Sequence, residues 1–301
     1  MPSKMNRIMI FCGIIILLNL HSCSPEQQIM PQNIWIIAPG TRPLMIAHGG
    51  AKLLFPENTW MAFDSSVAMG ADVLEMDLRL TKDSVIVTHH DAEIDNTSNG
   101  TGKIADLSLS DLQSLNFGYH FTDLSGKKPY ENQHVEIATL EGLFKKYPQM
   151  KMIIEIKDEG EWGKTAAEKV FELVTKYQMQ NQVIVASFHD EILRYFLDIS
   201  QSTVPVSTSE REATKFALTA KSFTGFTFVP EAVAVQLPLK SSGLNLGTRR
   251  IIASCHHHNM AIHYWTINDK EEMRDLIEKG ADGIITDRPD IMAELLKEMN
   301  L

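Results

Sequence analysis

The run Val73-Leu74-Glu75-Met76-Asp77-Leu78-Arg79-Leu80 is apolar except for two carboxylates set two residues apart and Arg79. As a β-strand it turns residues i and i+2 to the same face, so Glu75 and Asp77 point the same way. Two carboxylates on an inward face are costly unless positive charge lies between them. A divalent cation is the simplest such charge.

Working outward, similar short apolar runs recur along the chain. They fall at Leu44–Ala47, Asp72–Leu80, Val85–Thr88, Lys151–Ile156, Val183–Ser187, Val204–Ser207, Gly225–Phe228, Ala261–Trp265 and Gly283–Thr286. Between most of them lie stretches with apolar residues at helical spacing: Thr59–Met69, Leu140–Tyr147, Lys164–Tyr177, Asp190–Leu197, Thr248–His258 and Lys270–Lys279. Repeated βα units imply a parallel sheet covered on both faces. A (β/α)₈ TIM barrel needs about 250 residues and eight strands. Val85–Thr88 follows the preceding strand across the short Lys82-Asp83-Ser84 turn, so we expect it to form a hairpin outside the regular count. Residues 92–138 lack βα rhythm and hold Asn99-Gly100, Gly102, Gly126 and Pro129. They read as a small irregular insertion in the first half of the barrel, at the active face.

The polar residues cluster by position. His48 directly follows Leu44–Ala47, and His90 follows Val85–Thr88. Glu155 and Lys157 repeat the i, i+2 spacing at the end of their strand, and Asp287 follows Gly283–Thr286. In a (β/α)₈ barrel the C-terminal strand ends form the catalytic face, so these residues are expected to meet at one mouth. Carboxylates, imidazoles and a lysine together suit metal-assisted chemistry on a phosphate ester.

The N-terminus reads as a targeting segment. Lys4 and Arg7 precede an almost wholly apolar Ile8–Leu18, too short to span a bilayer as a mature helix. Leu20-His21-Ser22-Cys23 resembles a bacterial lipobox, with Cys23 the lipidated residue. We expect a lipoprotein signal peptide at 1–22, a lipidated N-terminus and tether at 23–43, and one barrel domain at 44–301. The protein would then be exported and anchored to a bacterial membrane. Ser24 points to the outer membrane, facing periplasm or surface. Removing residues 1–22 takes away two bases and no acids, so the net charge falls from −10 to −12. An acidic surface argues against nucleic acid. No obligate protein partner is evident. Only Cys255 remains besides Cys23, so no intramolecular disulfide supports the mature fold.

The chain resembles the glycerophosphodiester phosphodiesterase family, whose barrel is like that of phosphatidylinositol phospholipase C. The resemblance rests on an ordered set spread over residues 44–296. It includes Ile46-Ala47-His48-Gly49-Gly50, Pro56-Glu57-Asn58-Thr59, Glu75-Met76-Asp77, His90-Asp91, Glu155-Ile156-Lys157, Trp265-Thr266-Ile267-Asn268 and Thr286-Asp287-Arg288-Pro289. It implies a TIM barrel that hydrolyses glycerophosphodiesters to glycerol 3-phosphate and an alcohol. Glu75, Asp77 and Glu155 would hold one divalent cation, Ca²⁺ or Mg²⁺. Three carboxylates suit a hard ion better than zinc. His48 and His90 would be the general acid/base pair and Lys157 a phosphate ligand. Glu57 would support the site, or simply face the start of the next helix. The family has Arg where this chain has Gly49, and Lys52 is a candidate to replace that charge. Trp265 is a candidate wall for the substrate, and Phe228 a weaker one. His256-His257-His258 reads as a solvated helix end. The alternatives are a lysophospholipase D whose apolar groove is built from residues 92–138, and a non-catalytic surface lipoprotein that binds phosphodiesters or sugars.

Overall fold

The computed structural model describes residues 33–222, 224 and 228–301. The signal segment and Cys23 lie outside the described residues. Among those described, no helix is long and apolar enough to cross a membrane.

The strands are β1 (Leu44–Ala47), β2 (Val73–Leu80), β3 (Ile86–Thr88), β4 (Lys151–Ile156), β5 (Val183–Ala186), β6 (Ala234–Pro238), β7 (Lys240–Ser241), β8 (Leu244–Asn245), β9 (Ala261–Trp265) and β10 (Gly283–Thr286). The principal sheet runs β5-β4-β2-β1-β10-β9-β6, parallel throughout, with β3 antiparallel on β2. Its two ends are joined by one further stave. Val206 bridges Val185 on one side, and Ser207 bridges Ala234 on the other, both in parallel. The segment Val204–Ser207 thus closes an eight-stave (β/α)₈ barrel, and β3 is the hairpin outside the count, as expected.

The helices are α1 (Trp60–Ala68), α2 (Leu109–Gln113), α3 (Leu140–Lys146), α4 (Gly160–Lys176), α5 (Asp190–Ser200), α6 (Glu210–Lys221), α7 (Arg249–His257), α8 (Lys270–Lys279) and α9 (Pro289–Glu298). All but α2 follow a stave. Hydroxyl or carboxylate N-caps start several of them: Thr59, Thr139, Ser209, Thr248 and Asp269 each accept from a first-turn backbone N–H. Gly280 ends α8 at φ +91°, where a side chain would be strained.

Alternation along the staves makes two cores. Outward residues such as Leu74, Met76, Ile154 and Ile156 pack under the helices. Inward residues Ile46, Val73, Ile153, Ile184, Ala234 and Ile285 fill the lower barrel. Glu75, Asp77 and Glu155 continue these inward rows toward the mouth.

Three expectations need correction. The strand expected at Gly225–Phe228 falls on residues that, apart from Phe228, lie outside the described set. Phe228 itself is buried and not in a strand; it packs on Phe216 and His258 at 5.3 and 5.5 Å, so it is no wall of the mouth. The stave at that point is β6. Residues 33–43 are not tether. Trp35 is 1% exposed and closes the inner core from below, with Asn33 donating to the Val233 and Asn259 carbonyls. The Ile37 N–H donates to buried Asp282. A large indole on an open apolar floor gains more from burial than a solvated tether could. Finally, residues 92–138 fold on their own small core of Ile94, Ile104, Leu112 and Phe117. None of them lines the cavity at the mouth.

Candidate active site at the barrel mouth

Register brings the acids together. Asp77 on β2 pairs directly with Glu155 on β4, and Glu75 lies two residues below Asp77 on the same face. One oxygen from each of Glu75, Asp77 and Glu155 lies within 4.8 Å of the others. Asn58, in the left-handed region at φ +57°, clamps Asp77: its amide nitrogen donates to Oδ2 at 2.9 Å, and its carbonyl accepts the Asp77 N–H at 3.2 Å. The Gly49 N–H donates to Glu75 Oε2 at 2.9 Å. Gly49 itself adopts φ +52°, and a Cβ there would lie 3.3 Å from Glu57 Cβ. The backbone at this position therefore favours glycine.

Lys157 sits among the acids, with Nζ 3.1 Å from Asp77 Oδ1 and 2.9 Å from Glu155 Oε1. Lys157 is thus the one cation shared by Asp77 and Glu155 among the described residues. One ammonium does not neutralise three acids. Burial first, then the adjacent Asp77 charge, push the Glu75 carboxyl up to about 8. Burial raises Glu155 too. Burial also opposes ionisation of Asp77, but Lys157 and the Asn58 amide outweigh it and hold that carboxyl below its usual range. Burial likewise opposes the Lys157 charge, and Asp77 and Glu155 more than compensate. Three buried carboxylates sharing one ammonium, two of them with raised proton affinity, make an all-oxygen set that fits a hard divalent cation.

His48 stands beside this cluster. Its Nδ1 lies 2.6 Å from Asp287 Oδ1, and its Nε2 4.0 Å from Glu75 Oε2. A carboxylate only accepts, so Nδ1 carries the proton and Nε2 is left to exchange one. Asn268 donates to Asp287 Oδ2 at 2.8 Å and accepts the Asp287 N–H, fixing that carboxylate. Burial lowers the proton affinity of His48, but Glu75 and Asp287 reverse the sign and raise it. Asp287 is held low against burial by the His48 contact.

The neighbouring histidines divide cleanly. His89 is buried, with Nδ1 on the Asp91 carbonyl and Nε2 on Thr97 Oγ1, so both nitrogens are occupied. His90 lines the cavity with its side chain about half exposed, and its Nδ1 lies 2.9 Å from Asp91 Oδ1. Arg79 donates to the His90 carbonyl and so pins this turn. His90 thus repeats the His48 arrangement of Nδ1 on a carboxylate, in the wall of the same cavity.

The remaining candidates sort as follows. Lys52 lines the cavity and has Glu57 Oε2 3.9 Å away. Burial raises the Glu57 carboxyl. Helix α1 is capped by Thr59, so Glu57 faces Lys52 and Gly49 instead of serving as the cap. Trp265 lines the cavity and packs edge-on against Phe188 at 6.2 Å. His256 binds buried Asp282 at the other end of the barrel, and among the described residues the three-histidine run forms no metal cluster.

Three contributors had no assigned role in the sequence reading. The Asn58 clamp and the Asp287 partnership depend on pairings 19 and 239 residues apart. Phe188 follows a strand end, which was its only sequence signal.

The model of the glycerophosphoryl diester phosphodiesterase family matches residues 48–291. YhdW of Bacillus subtilis is 32% identical over 264 residues, covering 85% of this chain and 99% of that one. A glycerophosphodiester phosphodiesterase of Caldanaerobacter subterraneus is 27% identical, covering 85% and 99%. The solved glycerophosphoryl diester phosphodiesterase domain of a Mycobacterium tuberculosis protein superposes with a TM-score of 0.76 at 19% identity, covering 84% of this chain and 99% of that one. That last likeness speaks to the fold alone. The matched span begins at His48 and contains every acid, both imidazoles and the lysine of the mouth, and the chain belongs to the glycerophosphoryl diester phosphodiesterase family.

Proposed function

We propose that this protein hydrolyses glycerophosphodiesters to glycerol 3-phosphate and an alcohol, with one divalent cation and a histidine pair. The observation that carries this is the meeting of three carboxylates with a histidine whose Nδ1 is already engaged. Glu75, Asp77 and Glu155 would hold the cation. When bound, it supplies positive charge against which a phosphoryl oxygen is polarised.

The protein's own groups do the rest. One imidazole Nε2, of His48 or His90, takes the proton of the attacking hydroxyl, and the other protonates the departing alcohol. Asp287 and Asp91 keep each ring oriented through Nδ1. Lys157 turns its charge to the phosphate once the acids have another cation. Lys52 adds a second charge at the rim, in place of the arginine missing at position 49. The attacking hydroxyl is that of water or the substrate's own 2-hydroxyl. A decayed, purely binding barrel would be expected to have lost part of this set. Export and lipidation at Cys23 complete the proposal, supported by the order of basic, apolar and cysteine residues in 1–23. Palmitate labelling that persists in Cys23→Ala would remove that part.

The test is release of glycerol 3-phosphate from glycerophosphocholine and glycerophosphoethanolamine, with Ca²⁺, Mg²⁺ or chelator. A thermal-melt titration runs beside it. A cation at 100 times its Kd should stabilise the fold by about 2.7 kcal/mol, and Glu75→Gln should abolish that shift. Equal activity with chelator, or a melt indifferent to both ions, defeats the metal assignment.

A further inference from the structure

The two histidines of the mouth are held in different ways. His48 has a buried partner, Asp287, which Asn268 fixes from the other side. His90 and its partner Asp91 have side chains 48% and 47% exposed. An ion pair that open is worth little and orders neither side chain firmly. The aim of the His90 ring therefore depends on the backbone of the turn His89-His90-Asp91.

That backbone is held on two sides. Arg79 donates to the His90 carbonyl from Nε and Nη2 at 3.1 and 2.8 Å, while its Nη1 reaches the Lys157 carbonyl and Asp158. The second hold is His89, which is 3% exposed. Its backbone N–H donates to the Asp77 carbonyl at 2.9 Å. Its Nδ1 lies 2.8 Å from the Asp91 carbonyl oxygen. A carbonyl only accepts, so Nδ1 carries the proton. Nε2, 2.8 Å from Thr97 Oγ1, then accepts from that hydroxyl. Burial lowers the proton affinity of His89, which keeps the ring neutral and this pattern of one donor and one acceptor intact.

The same ring packs edge-on against Phe117, with centroids 5.9 Å apart. Phe117 and Ile94 belong to the small core of the insertion, and the Ile94 carbonyl accepts from the Thr97 and Ser98 N–H groups. Residues 92–138 line none of the cavity, yet one buried imidazole joins their core to the turn that carries His90. An apolar side chain could fill this space, but only a donor at the place of Nδ1 can hold the Asp91 carbonyl.

We propose that His89 is a positioning residue for the phosphodiesterase reaction. It fixes the Asp91 carbonyl and so the direction of His90, and through it the insertion acts as the buttress of the second histidine. This rests on the phosphodiesterase reading and adds the group that aims one of its two proton carriers.

The experiment separates the two ring nitrogens. His89→Asn keeps a donor where Nδ1 stands and loses the Thr97 contact. His89→Gln keeps an acceptor where Nε2 stands and loses the Asp91 contact. Each gives up one buried hydrogen bond, so their urea midpoints should fall alike. Turnover of glycerophosphocholine by the full chain should not. A misplaced proton carrier predicts a kcat about tenfold to hundredfold lower for His89→Gln, with KM little changed. His89→Asn and Thr97→Val should stay within about threefold of the unsubstituted protein, a difference of less than 1 kcal/mol. His89→Phe keeps the packing on Phe117 and should lose kcat as His89→Gln does, so it carries the comparison if His89→Gln does not fold. Equal kcat losses in His89→Asn and His89→Gln, or a kcat that follows the urea midpoint across the series, overturn the inference and leave the phosphodiesterase standing. No turnover by the unsubstituted protein, with Ca²⁺ or Mg²⁺, overturns both readings.

Discussion

The barrel holds a part-buried histidine at its mouth and a fully buried one toward its floor, and the two behave in opposite ways. At the mouth, His48 has a carboxylate on Nδ1 and another near Nε2, and its proton affinity is raised despite burial. At the floor, His263 is fully buried beside Trp35, with neither ring nitrogen hydrogen-bonded. Burial there is the dominant influence and drives the imidazole down to about 4. The same side chain on the same scaffold is thus a proton carrier where acids flank it and a neutral packing element where they do not. The mouth trades packing for charge, and the floor does the reverse.

The largest break in this contrast should come from His48→Ala. Loss of a general acid/base should lower kcat/KM by about 10²–10⁴-fold with little change in melting temperature. A variant that loses stability in proportion to activity would show His48 to be structural. At the floor the order reverses: Trp35→Ala should cost about 3–5 kcal/mol of stability, read from urea unfolding, with activity retained in the folded fraction. A mild effect there would return residues 33–43 to the tether.

The pH dependence of stability sharpens the comparison. An unfolded histidine titrates near 6.5, and folded His263 near 4. Between those values the unfolded chain binds more protons. The stability contributed is therefore complete above pH 6.5 and lost as pH falls toward 4. About 3 kcal/mol is at stake over that window. In His263→Leu the unfolding midpoint should fall less steeply between pH 6.5 and 4; an unchanged slope would assign acid sensitivity elsewhere. The smallest expected effect is that of Asp287→Asn, a loss of about 10–10²-fold in kcat. Asp287 raises His48, so its removal lowers the His48 pKa. If His48 acts as base, the rising limb of the pH–rate profile should move to lower pH. A limb that stays in place would leave Asp287 a merely steric neighbour.

Local pattern carried a good deal of this in the sequence. The i, i+2 acids of β2 and β4 were legible because strand periodicity alone puts them on one face. The hairpin at β3 followed from a three-residue turn. His90 was expected at the mouth from its place just past a short apolar run, and it lines the cavity there. What failed was the choice among segments of similar propensity. Gly225–Phe228 has the aromatic and threonine character of a strand, and Ala234–Pro238 ends in proline, yet β6 is the stave. There β9 pairs along the whole segment, and Pro238 stands at its end, where a missing N–H costs little. Helix α6 was passed over because its apolar residues are sparse, although Ser209 caps it.

The sequence by itself determined the charge set, the strand faces that carry it and the βα order that makes a barrel. These depend on periods of two and 3.6 residues and on connections between neighbours. The tertiary structure decided which distant groups complete each pair: Asp287 with His48, Asn58 with Asp77, and Trp35 under the inner core. Those pairings are set by barrel closure and by stagger between staves, which no local period encodes.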